Sequence, residues 1–156
     1  MKKSIIALVL LLSSISYAQN NNFVVEDSLI IWRKVYEIDK NFSEIKNNPR
    51  LEFKTDSSGC IKKTNFSNDG LDELVGEFRI EFKANRYRVS VYNIRFYKIG
   101  KNTVENASAL ETTTDFAIEQ VALKRNGTVR EDSTVKELNR HFTSLFTVKQ
   151  PIKTDW

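Results

Sequence analysis

Glu137 and His141 are the pair with the most chemical promise. Four residues apart on a helix, they share one face, and a carboxylate with an imidazole at that spacing can supply two metal ligands. A zinc site needs a third protein ligand, and no motif offers one. The competing reading is structural: His141 borders an apolar stripe and Glu137 serves the helix cap. A Ser-His-Asp triad assembles in space rather than in sequence, so that role for His141 also stays open. Cys60, the only cysteine, is either a reactive thiol or intermolecular bridge, or a small buried hydrophobe after a Ser58-Gly59 turn. No histidine stands near it in the sequence to activate the thiol. Asn65, Ser67, Asp69, Gly70 and Glu73 echo a calcium loop, but the twelfth position, which should hold a bidentate glutamate, is Gly76. An ordinary loop is the expectation there. Arg79, Lys83, Arg86 and Arg88 surround Glu81 in a basic patch, which reads as an anion site or as the soluble outer face of a sheet. Nucleophile elbow, phosphate loop, zinc spacing and dinucleotide fingerprint are all missing from the sequence. Catalytic residues are therefore left unassigned, and neither a cofactor nor a metal is expected.

The element best able to position side chains is the stretch Phe78 to Val91. Apolar and polar residues alternate through Phe78-Arg79-Ile80-Glu81-Phe82-Lys83 and again through Arg86-Tyr87-Arg88-Val89-Ser90-Val91. With Ala84-Asn85 as a two-residue turn, Lys83 faces Arg86, Phe82 faces Tyr87, Ile80 faces Val89 and Phe78 faces Val91. The six apolar side chains then share one face, while Arg79 meets Ser90 and Glu81 meets Arg88 on the other. A slip of one residue would mix the faces, so the register is well specified. Beyond Val91 the phase changes to Tyr92, Ile94 and Phe96, which predicts a bulge near Tyr92-Asn93 or a strand buried on both faces. An apolar sheet face needs a cover. Thr134 to Val148 fits that role as a helix, with a Thr134/Glu137 capping box, a stripe of Val135, Leu138, Phe142, Leu145 and Phe146, and Pro151 beyond its end.

The remaining segments read in chain order. Gln19 to Asp27 is polar at its start and reads as a loose terminus. Leu29 to Ile38 reads as a central strand, apolar on both faces. Asn41 to Asn48 predicts a short helix stopped by Pro49. Leu51–Thr55 and Cys60–Phe66 predict a hairpin around Asp56-Ser57-Ser58-Gly59, although the alternation at Lys62-Lys63-Thr64 is poor. Asn65 to Gly76 is turn-rich. Ile99 to Thr114 reads as a long connection or a ragged edge strand. Asp115 to Arg125 fits a helix capped by Asp115, with a strand as competitor.

The first residues suggest export. Met1-Lys2-Lys3 is followed by an apolar run from Ile5 to Leu12 and by Ser16-Tyr17-Ala18, the pattern of a secretory signal cut after Ala18. The run is too short to span a bilayer as a helix, and no later segment is apolar enough to cross one. The expected organisation is a signal peptide over 1–18 and a single domain over 19–156, periplasmic or secreted. Losing Lys2 and Lys3 lowers the formal net charge from +4 to +2, which with export argues against a nucleic-acid partner. A lone cysteine leaves no intramolecular disulfide, so the hydrophobic core must hold the fold. Sequons at Asn41, Asn65, Asn106 and Asn126 would matter only in a eukaryotic secretory route.

Together, Ile31-Trp32-Arg33-Lys34-Val35, the Glu81–Val89 hairpin, Ala122-Leu123-Lys124-Arg125-Asn126 and Phe142-Thr143-Ser144-Leu145-Phe146 resemble a group of small exported proteins of Gram-negative bacteria with no assigned function. Such proteins resemble a domain of unknown function with a TBP-like fold. The resemblance implies an α+β fold, a curved antiparallel sheet of about five strands with helices on one face. It brings no functional residue with it. The expected function is a non-catalytic binding or structural domain of the cell envelope, its partner a protein or an envelope glycan. The alternatives are a small hydrolase or metal-assisted enzyme using scattered carboxylates and His141, or an inhibitor or immunity-type protein.

Overall fold

The computed structural model describes residues 22–37, 42–68, 71–100 and 112–147. The expected signal segment, the sequons at Asn41 and Asn106 and the residues beyond 147 lie outside them. The fold is α+β. Seven strands form one antiparallel sheet: β1 (Phe23–Glu26), β2 (Leu29–Glu37), β3 (Leu51–Phe53), β4 (Ser58–Asn68), β5 (Leu71–Lys83), β6 (Arg86–Gly100) and β7 (Thr112–Ala117). Three helices accompany them among the described residues: α1 (Phe42–Lys46), α2 (Ile118–Ala122) and α3 (Ser133–Phe146). The strand order is β1-β2-β6-β5-β4-β3, with β7 also paired to β6. The sheet is thus wider than the five strands expected.

The β5–β6 hairpin has the register that its alternation dictates. Phe82 pairs with Tyr87, Ile80 with Val89, Phe78 with Val91, and Glu81 with Arg88. Ala84 takes a positive φ of 51° in the turn. Helix α3 covers the apolar face: Val135, Leu138, Phe142, Leu145 and Phe146 are all buried. Phe142 lies 5.5 Å from the Trp32 ring, and Phe146 lies 6.2 Å from Trp32 and 5.4 Å from Phe78, ring centre to ring centre. Five of the six hairpin side chains are buried there; Phe82 is the exception, at 50% exposure. Among the described residues α3 ends at Phe146, whose carbonyl accepts the Tyr87 hydroxyl at 2.9 Å. Helix α1 abuts the same end, where the Asn48 amide donates to the Leu145 carbonyl at 3.0 Å.

Three register shifts interrupt the sheet among the described residues, one of them between Asn65 and Asn68 near the end of β4 and the other two close together in the middle of the sheet. Glu77 pairs with Tyr92 but Val75 with Arg95, so Asn93 and Ile94 stand opposite Gly76 alone. Asn93 has φ +51°, and the buried set passes from Val89 and Val91 to Ile94 and Phe96, the expected bulge. On the other side of β5, Ile61 pairs with Gly76 and Thr64 with Leu74, so Lys62-Lys63 stands opposite Val75. The poor alternation at Lys62-Lys63-Thr64 is therefore a second bulge, not a weak strand.

Several expectations are corrected. Phe23–Glu26 is a strand paired to β2, not a loose terminus; Asp27 and Ser28 turn the chain with φ of 50° and 66°. Residues 65–68 and 71–76 belong to β4 and β5, which pair out to Asn68 opposite Leu71. Gly59 lies inside β4, not in the turn: it faces Phe53, and a Cβ there would stand 2.0 Å from the Glu52 carbonyl oxygen. Asp115 lies in β7, and only Ile118–Ala122 is helical. β6 runs on to Gly100, further than expected. The cap of α3 is Asp132, whose carboxylate accepts the Val135 N–H at 3.0 Å, while Thr134 is buried. β2 lies inside the sheet as expected, but its second face meets solvent, with Leu29 and Val35 more than half exposed.

Candidate functional site

Helix α3 places Glu137 and His141 one turn apart, as their spacing requires, yet they do not converge on a ligand. Glu137 is paired with Arg140. The His141 ring lies edge-on to Phe66 of β4 at 5.7 Å and to Phe142 at 5.9 Å. Its Nε2 is buried with no hydrogen-bond partner among the described residues. Burial first, then the Arg50 charge, pulls the imidazole below its ordinary range, with Glu137 opposing. Among the described residues no group of three His, Cys, Asp or Glu side chains is arranged to hold a metal ion. Of the calcium-like positions, Asn65, Ser67 and Glu73 fall on paired strands and Glu73 is bound to Lys63, while Asp69 and Gly70 lie outside the described residues.

The basic patch resolves into a ladder of ion pairs on the sheet face opposite α3. Arg88 donates to Glu81 at 2.7 Å, directly across the hairpin. Arg86 meets Glu37 at 2.9 Å and Arg33 meets Glu26 at 2.7 Å. The Arg33 guanidinium holds the Glu26 carboxyl below its ordinary range. Such exposed pairs contribute little to stability, but they engage Arg86 and Arg88 of the patch with carboxylates.

The same outer face carries a hollow of about 760 Å³ beside the two bulges. Its position follows from the connectivity. Strand β6 offers one edge to two partners, β2 over Arg86–Val91 and β7 over Arg95–Gly100. Between them the ladder opens, and the Ile30 N–H is taken by the Glu119 carboxylate at 2.8 Å instead of a strand carbonyl. Glu119 and Leu29 line one end of the hollow, Val75 and Glu77 its middle, and Glu52 and Cys60 its far side. Registers across four strands set Glu52, Cys60, Glu77 and Tyr92 in one row. Lys62 and Arg95 add donors, although Arg95 is already bound to Asp115. Both charge signs and apolar side chains therefore meet in an open depression. Cys60 is half-buried there and unbridged, a thiol at a strand position rather than in a turn.

Leu29, Glu52, Val75 and Glu119 were not among the sequence candidates. Their one advance signal is the broken alternation at Lys62-Lys63 and Tyr92-Asn93, which marks the bulges but not the side chains that gather around them. No helix of the described residues is long and apolar enough to cross a membrane. Comparison with known proteins finds no matching family model, no matching curated protein and no matching solved structure.

Proposed function

We propose that this chain is an exported, non-catalytic domain that binds a protein or glycan of the cell envelope across the outer face of its sheet. The TBP-like part of this reading draws its support from an antiparallel sheet interrupted by bulges, with the longest described helix on one side. The carrying observation is the hollow beside the bulges, with donors, acceptors and the exposed Leu29 presented together on the sheet face opposite α3, and with Glu119 of α2 at its rim. Pockets that bind by shape and scattered polar contacts are built in this way. The enzyme reading draws nothing from the pair that suggested it, because Glu137 is engaged by Arg140 and His141 packs on two phenylalanine rings. Capture from periplasm and culture medium, read by mass spectrometry, tests the proposal. The expected result is a partner retained by the native chain and lost with Glu77→Arg or Leu29→Arg while circular dichroism is unchanged. Failure to capture any partner, with turnover of an envelope substrate by the purified chain, would reverse it.

A further inference from the structure

We propose that His141 makes the seat of α3 on β4 sensitive to acid: protonation of its buried ring nitrogen loosens the C-terminal half of the helix from Phe66. The geometry is specific. The imidazole is wedged edge-on between Phe66 and Phe142, 5.7 and 5.9 Å from their centres, and Nε2 has neither water access nor a protein acceptor among the described residues. A neutral ring tolerates that environment as a flat, weakly polar body. A protonated ring places a second N–H donor, and a charge, against carbon. The surrounding charges do not rescue it. Arg50, ahead of β3, adds repulsion; Glu137, one turn earlier on α3, attracts but is held by Arg140; β4 presents the Phe66 ring. The same reasoning places the imidazole below its ordinary range. The disturbance would not stop at the ring, because Phe142, in the next position, sits against Trp32 at the centre of the core.

The chain has a single histidine, the one side-chain type whose ordinary pKa lies between pH 5 and 8. Its imidazole proton signals can therefore be followed by NMR in the native chain without assignment. The expected titration midpoint lies below that of a free imidazole. Amide exchange in α3 and β4, corrected for intrinsic chemistry, should accelerate as pH falls from 7 to 5. The acceleration should approach tenfold for each pKa unit separating the folded and unfolded forms. His141→Phe, which keeps an aromatic ring at the site, should remove the acceleration. Arg50→Gln should raise the midpoint without altering the packed rings. A midpoint at or above the free value overturns the proposal, and so does an unchanged acid response in His141→Phe. Because the NMR reading uses the native chain, it stands even if the phenylalanine variant misfolds. The inference is independent of the outer-face binding surface, which lies on the opposite side of the sheet.

Discussion

The Trp32 indole is fully buried and has one N–H to satisfy. It donates to the Asn139 side-chain oxygen at 2.9 Å, and the same oxygen accepts the Asn22 amide at 2.7 Å. An apolar residue at 139 would leave the indole N–H dry. Asn139→Leu is expected to destabilise the chain by about 1–3 kcal/mol, read from the shift of the urea unfolding midpoint. Tyr87 gives a prediction at the alkaline end. Burial pushes its hydroxyl up to about 12 from the ordinary 10, and Tyr36, stacked on it at 5.0 Å, is pushed the same way, by burial first. The unfolded chain therefore releases these protons first. Stability from this source is intact below pH 10 and falls as pH rises through about 12. Denaturant midpoints at pH 9, 10 and 11 should decline in the native chain and decline less in Tyr87→Phe.

At the scale of elements, α3 shows how a correct helix can carry a misread cap. Thr134 and Glu137 have the right spacing for a capping box, but Asp132 already holds the Val135 N–H, and the helix begins two residues earlier than the box requires. Asp132→Ala should lower stability by about 0.5–2 kcal/mol, while Glu137→Ala, which removes only the pairing with Arg140, should change the thermal midpoint much less. Strand β4 was misjudged for a related reason. Turn-forming residues from Asp56 to Gly59 suggest a hairpin turn two residues later than the one formed between Phe53 and Ser58. Gly59 is there because β3 and β4 approach too closely for any side chain. Gly59→Ala must push the Glu52 backbone aside and should cost about 1–3 kcal/mol, a loss that a thermal melt would register. Close backbone approach leaves no mark in a single sequence beyond the glycine itself, and a glycine also marks turns.

Across the molecule, legibility follows the length over which a pattern stays in phase. The β5–β6 hairpin was readable because Phe82 and Tyr87 sit in an unbroken alternation on both sides of a two-residue turn. The stripe of α3 was readable because five apolar residues keep helical spacing. The seven-strand width was not, since β1 has only four residues and β4 and β5 meet through a polar stretch that resembles a loop. The outer hollow was less visible still. Glu52, Cys60 and Glu77 come together only once two registers are known, and Glu119 joins them from beyond β7. Pattern reading finds what one segment buries; it does not find what separate strands place side by side on the wet face.

The order of strands also sets the order of events. Strand β2 pairs with β6, so Trp32 waits for Val91, and the first hairpin to leave the ribosome has no sheet to join until most of the chain has followed. Long-range pairing of this kind is slow, because the intervening loop must close before any contact rewards it. A chain ended at Lys83 should therefore stay open, with flat exchange profiles and no sigmoidal melt. A protein whose opening strands cannot settle early stays extensible for longer while it is being made.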